Sequence, residues 1–194
     1  MISAVILAAG LSRRMGRPKQ LLKLGDQTML EHIVGKVLRA NVSELIVVLG
    51  AHRQEIKHIL SPYNIRCVQN PNFKDGLGTS VAAGAAAANS EAGGIMFVPA
   101  DQPLISSESL NRLIDTFSST GALIVRAGDG LPVIFHTSLR EELMNLKGDT
   151  GGRQLMVKYP DKVVVVSSPE LMSLDVDTDE DYQKVLSLWN FPNR

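Results

Sequence analysis

Five segments of the sequence bring together residue types that can do chemistry on a phosphate chain. The first is Leu7-Ala8-Ala9-Gly10-Leu11-Ser12-Arg13-Arg14-Met15-Gly16-Arg17-Pro18-Lys19, where small residues are followed by four basic side chains. Small side chains let backbone N–H groups approach phosphates, and nearby cations suit a polyanion. The spacing is neither a Walker A, since no Gly-Lys-Ser/Thr follows, nor G-x-G-x-x-G. The plainer alternative is a tight turn with solvated basic residues.

The second segment is Val98-Pro99-Ala100-Asp101-Gln102-Pro103. A carboxylate just past an apolar run is a natural ligand for Mg²⁺, which prefers one or two carboxylates plus phosphate oxygens and water. Asp101 alone could equally end a strand and open a turn. The third, Leu174-Asp175-Val176-Asp177-Thr178-Asp179-Glu180-Asp181, offers carboxylates ahead of a helical pattern. Asp177 or Thr178 is a good N-cap, and acids in a first turn suit the helix dipole. If the segment is extended, Asp175 and Asp177 point the same way and could face a metal as a pair.

Two glycine-rich segments complete the set: Asn70-Pro71-Asn72-Phe73-Lys74-Asp75-Gly76-Leu77-Gly78-Thr79-Ser80, and Lys147-Gly148-Asp149-Thr150-Gly151-Gly152-Arg153. The first leads into an alanine-rich helix whose N-terminus could present N–H groups and hydroxyls to a ligand. Either could also be an ordinary loop. His32, His52, His58 and His136 show no metal-ligand spacing, so zinc is disfavoured, and the absence of a G-x-S-x-G elbow disfavours a serine hydrolase. Cys67, the only cysteine, reads as a small buried hydrophobe.

These segments need a scaffold, and the pattern between them supplies one. Ala4–Ala8, Glu44–Leu49, Ile95–Pro99, Ala122–Arg126 and Lys162–Val166 are short, nearly continuous apolar runs that predict buried strands. Thr28–Ala40 places Leu30, Ile33, Val34, Val37 and Leu38 on one helical face and opens with the capping-box spacing Thr28-x-x-Glu31. His52–Leu60, Leu110–Phe117, Ser138–Leu146 and Asp179–Trp189 are further predicted helices, as is Val81–Ala88, whose small side chains would let a neighbour approach closely. Such alternation predicts an α/β fold with a mostly parallel sheet and helices on both faces, ligands binding beyond the carboxyl ends of the strands. No composition shift divides the 194 residues, so one domain is expected.

Composition narrows the partners. The chain has 20 Lys+Arg and 20 Asp+Glu, and this neutrality argues against a nucleic-acid binder, which needs a basic footprint. No apolar run approaches the roughly 20 residues of a membrane span, and no signal peptide is visible. A cytoplasmic location with no membrane partner is expected.

Taken in order, the motifs resemble the MobA-like nucleotidyltransferases, and within them the molybdenum cofactor cytidylyltransferase branch. The resemblance rests on Leu7-Ala8-Ala9-Gly10-x-Ser12-x-Arg14-Met15-Gly16-x-Pro18-Lys19, Asn70-Pro71 through Ser80, Ala100-Asp101-Gln102-Pro103, Pro132-Val133-Ile134-Phe135, Gly148-Asp149-x-Gly151-x-Arg153 and Asp175-Val176-Asp177-Thr178. It implies a single-domain, Rossmann-like three-layer sandwich of the nucleotide-diphospho-sugar transferase type. It also implies Mg²⁺-dependent transfer of CMP from CTP to molybdopterin cofactor with release of pyrophosphate, a recipient molybdoenzyme or its chaperone being a further partner.

On this resemblance Leu7, Ala8, Ala9 and Gly10 would face the nucleotide, and Arg14 and Lys19 would offset phosphate charge. Asp101 would hold the metal with Asp177, and Asn70, Gly78 and Ser80 would line the base and ribose pocket. Ala9 at its position of the signature points to CTP rather than GTP. Leu131 stands where the family commonly has histidine, which leaves the acceptor open. The alternatives are another triphosphate, a sugar or alcohol phosphate acceptor, or a non-catalytic cofactor-binding chaperone.

Overall fold

The computed structural model describes residues 1–128, 130–167 and 173–189. Strand β1 (Ile2–Ala8) is buried along its whole length, as its unbroken apolar sequence requires of a strand covered on both faces. A β2 (Lys23–Leu24) and β3 (Gln27–Thr28) ribbon follows, then α1 (Met29–Leu38), β4 (Glu44–Leu49), α2 (Arg53–Ile59) and β5 (Arg66–Gln69). Next come α3 (Leu77–Ala87), β6 (Gly94–Pro99), α4 (Ser107–Thr120), β7 (Ile124–Ala127) and β8 (Val133–His136). The order ends with α5 (Arg140–Met144), α6 (Arg153–Lys158), β9 (Val163–Val166) and α7 (Asp179–Trp189).

The main sheet has seven strands in the order β5-β4-β1-β6-β8-β7-β9. It is parallel except for β8, which runs antiparallel to both β6 and β7. Period-two alternation splits the apolar residues between two layers. Ala4, Ile6 and Ala8 pack with α1, α4 and α7 on one face, while Val5, Leu7 and Ala9 pack with α3, α5 and α6 on the other. The chain runs from β1 outward to β4 and β5, then returns to place β6 on the other side of β1. That reversal opens a crevice beyond the carboxyl ends of β1 and β6, where ligands bind in sheets of this class.

The predicted elements are present, with shifts that have physical causes. The α1 capping box is complete: Thr28 Oγ1 accepts from the Glu31 N–H, and the Glu31 carboxylate accepts from the Thr28 N–H. Helix α3 begins four residues before the predicted Val81, because its first turn is the Leu77-Gly78-Thr79-Ser80 stretch that reads as loop. Gly84 sets how close that helix lies to the sheet, since a Cβ there would come within 2.5 Å of Val5 Cγ1. The predicted helix at Ser138–Leu146 shortens to a 3-10 turn over Thr137–Leu139 followed by α5. Cys67, expected in the core, is only half-buried because β5 is an edge strand.

Candidate functional site

The site assembles where β1 and β6 end. Beyond β1, the chain turns through Ser12, whose φ of 50° lies in the left-handed region. A left-handed residue within a loop turns successive amides toward one side, the geometry of an anion-binding nest. Among the described residues, the N–H groups of Gly10, Leu11, Ser12, Arg13 and Arg14 donate to no protein acceptor. The loop is braced from within. Ser12 Oγ accepts from the Lys19 N–H at 3.1 Å, and Gln20 Nε2 donates to the Gly10 carbonyl at 3.4 Å. Gln20 is buried and was not among the expected site residues; its only sequence signal is a lone polar side chain leading an apolar pair.

Beyond β6 stands Asp101. Lys19 Nζ donates to Asp101 Oδ2 at 2.7 Å and to Asp177 Oδ1 at 2.8 Å, so one ammonium joins the two carboxylates. Arg14 Nη1 donates to the other Asp177 oxygen at 2.6 Å. The Lys19 side chain is 12% exposed, against 72% for Arg14, so the inner pair is far less screened than the outer one. Burial alone would lower the Lys19 ammonium, but the Asp101 and Asp177 carboxylates hold it above its ordinary value. Hydrogen bonding to Lys19 and the charges of Lys19 and Arg14 keep the Asp177 carboxyl below its ordinary value.

Asp175 and Asp177 do alternate with a buried Val176, as an extended segment requires, yet they face different partners. Asp175 accepts from Gln102 Nε2 at 3.0 Å. Desolvation raises its carboxyl, and the nearby Asp101 and Asp177 charges add to that rise against the Gln102 bond. Thr178 takes the capping role, its Oγ1 accepting from the Asp181 N–H. Arg17 pairs with Asp179, and so lies on the outer rim.

The residues that could hold a divalent ion are therefore Asp101 and Asp177, two hard-oxygen carboxylates brought to one point. Among the described residues, no group of three or more Asp, Glu, His or Cys side chains is gathered closely enough to hold a metal ion. Such a donor pair fits Mg²⁺ or Mn²⁺ only when oxygens from a phosphate and water complete the shell.

The glycine-rich segments meet each other. Gly78 N–H donates to the Gly148 carbonyl at 2.8 Å, and a Cβ on Gly76, at φ 103°, would come within 2.3 Å of the Gly148 backbone. Asn70 and Ser80 lie buried beneath this junction. Asn70 Nδ2 donates to Thr79 Oγ1 and Ser80 Oγ, while Asn70 Oδ1 accepts from the Asn72 N–H, so these groups rivet the start of α3. Ala8 and Ala9 are buried, and of the expected residues Leu7, Asp101 and Asp177 also line a cavity of about 790 Å³. Its wall is largely apolar, with Val81, Phe97, Leu131 and Met156 among the lining residues, and Arg112 and Arg153 supply positive charge. No described helix is long and apolar enough to cross a membrane.

Comparison with known proteins agrees with this geometry. The chain matches the MobA-like NTP transferase domain over residues 4–163. It is 31% identical to nicotine blue oxidoreductase of Paenarthrobacter nicotinovorans, over 95% of this chain and 96% of that protein. Rv0371c of Mycobacterium tuberculosis H37Rv, solved in complex with manganese, superposes with a TM-score of 0.79 at 29% identity, covering 96% of this chain and 97% of that one. A nucleotidyl transferase of Methanothermobacter thermautotroptrophicus superposes with a TM-score of 0.84 at 25% identity, covering 97% of each chain. More distant structures share the nucleotide-diphospho-sugar transferase fold. With the family model spanning most of its length, this chain belongs to the MobA-like NTP transferase family.

Proposed function

We propose that the protein is a divalent-metal-dependent nucleotidyltransferase that transfers CMP from CTP to molybdopterin cofactor, releasing pyrophosphate. One observation carries the reading: the loop that leaves five successive amides unbonded also sends Lys19 to both carboxylates. A triphosphate needs that combination, with N–H donors and cations for its oxygens and carboxylates for its metal. Transfer at a phosphorus centre depends on positioning and electrostatic stabilisation far more than on covalent help.

In this reading the amides of Gly10–Arg14 cradle the phosphates, and Leu7, Ala8 and Ala9 form the floor beside the nucleotide. Arg14 and Lys19 offset the charge that develops as pyrophosphate leaves. Asp101 and Asp177 hold Mg²⁺, which neutralises phosphate charge when bound. Asn70, Gly78 and Ser80 shape the base and ribose wall by fixing the start of α3. The Rv0371c structure, a complex with manganese, supports a divalent ion as a partner of this fold. The apolar cavity beside Asp101 takes the acceptor. Its apolar wall at Leu131 and Val81 gives a ring a face to pack on, and Arg112 and Arg153 give a phosphate its counter-charge. Ala9 favours cytosine, by about 1–3 kcal/mol for a methylene-sized difference.

Calorimetric titration with CTP, GTP and ATP in the presence of Mg²⁺, followed by a pyrophosphate assay with the pterin, tests the proposal. CTP binding tightest and pyrophosphate release on addition of the pterin support it. Release with a sugar phosphate but not the pterin refutes the acceptor. The relative named nicotine blue oxidoreductase gives a second reading, a redox reaction at the same cavity. That reading gives the Asp101–Asp177 pair no part in the chemistry, and its assay is reduction of nicotine blue as the electron acceptor, with a reduced nicotinamide dinucleotide added as the hydride donor.

A further inference from the structure

Four charged groups at the heart of the site satisfy one another. Lys19 bridges Asp101 and Asp177, and Arg14 closes the second Asp177 oxygen. These two cations and two carboxylates are the groups that the proposed function assigns to phosphate and to metal respectively. In the ligand-free chain each set therefore occupies the place of the other's ligand.

The consequence follows from charge matching. A divalent cation arriving alone must push Lys19 off both carboxylates and leave its ammonium stranded, only 12% exposed, beside a like charge. A triphosphate arriving alone must draw Lys19 and Arg14 away and leave two bare carboxylates near its own oxygens. Arriving together, the two ligands supply a cation to the carboxylates and anions to the cations, and no group is left unmatched. The scarcity of protein ligands agrees, since no described cluster of three such side chains could hold the ion without phosphate.

Resting on the nucleotidyltransferase reading, we infer that Lys19 is a placeholder cation, holding the metal position until metal and nucleotide enter together. It is a positioning residue for the metal as well as a phosphate ligand, and it makes metal and nucleotide binding strongly cooperative.

Equilibrium dialysis of Mn²⁺ against the whole chain, with and without CTP, tests this without any turnover. The wild-type chain binds Mn²⁺ weakly alone, and CTP tightens protein-bound Mn²⁺ by about tenfold or more. Lys19→Met binds Mn²⁺ alone about tenfold tighter than wild type and loses most of the enhancement by CTP. Lys19→Arg, which keeps the cation, stays close to wild type. If Lys19→Met binds Mn²⁺ no tighter than wild type, the placeholder is overturned. If wild type binds CTP and Mn²⁺ with no mutual enhancement, the exchange fails while the nucleotidyltransferase reading stands. If it binds neither ligand in any combination, both fail. A circular-dichroism melt checks folding; should Lys19→Met unfold, Lys19→Gln, which removes the charge and keeps a polar donor, takes its place, and Mn²⁺ affinity no tighter than wild type in that variant overturns the proposal.

Discussion

The Val176 N–H donates to the Asp101 carbonyl at 2.9 Å, and the Val176 side chain is wholly buried. This bond docks the segment before α7 onto the end of β6, and it fixes which residues stand beside Asp101. With Val176 turned into the core, Asp175 and Asp177 turn outward, one onto Gln102 and the other onto Lys19. The meeting of Asp101 and Asp177 on Lys19 is thus set by a backbone contact between distant parts of the chain.

Val176→Ala removes two methyl groups from a closed site and should cost about 1–3 kcal/mol of stability, read by urea denaturation. It should also weaken Mn²⁺–CTP binding. Val185→Ala, equally buried on α7, should lose comparable stability with nucleotide affinity intact. Equal binding losses in the two variants would mean that Val176 does not position Asp177.

Two helix glycines should respond in opposite directions to alanine. At Gly84 the new Cβ would meet Val5 Cγ1 at 2.5 Å, and overpacking of about 1–3 kcal/mol outweighs the helix-propensity gain of about 1 kcal/mol. At Gly35 the nearest atom is Arg39 Nη1 at 3.5 Å, an ordinary contact, so the propensity gain survives. Thermal melts should show Gly84→Ala falling and Gly35→Ala rising.

Lys36 gives the fold a pH signature. Its Nζ donates to the Pro103 carbonyl, just after Asp101 and Gln102, and lies 5.0 Å from the Trp189 ring centre. Desolvation, helped by Arg39, pushes its pKa down from 10.5 to about 8. Between those values the unfolded chain keeps a proton that the folded chain releases. Stability should therefore climb from about pH 8 to 10.5, and the penalty is fully present below pH 8. The climb is at most roughly 3.5 kcal/mol, at about 1.4 per pH unit. Subtracting the Lys36→Met stability profile from that of wild type isolates it; a flat difference would rule out the depressed lysine.

The sequence made the frame legible where burial is two-sided. Strands β1, β4 and β6 announce themselves as apolar runs because helices cover both faces. Strand β5, at the edge, is only Arg66-Cys67-Val68-Gln69, polar at both ends with no period-two pattern, and does not stand out from its surroundings. The β8 segment reads as a motif, yet nothing local tells that it runs antiparallel between β6 and β7. Helix α6 follows a glycine-rich loop and buries little beyond Leu155, too weak a period to see. At the site, residue types were legible and pairings were not. Lys19 sits far from Asp101 and Asp177 in the chain, and only the fold shows that one ammonium serves both carboxylates.

The most direct test of the central claim is release of pyrophosphate from CTP with molybdopterin and Mg²⁺, compared between wild type and Asp101→Asn. The substitution keeps shape and removes the charge that would hold the metal. Turnover in the wild type, with a fall of about a hundredfold or more in a variant that melts near the wild-type temperature, is the predicted result. Undiminished release by Asp101→Asn, or none by wild type with any triphosphate, would contradict it.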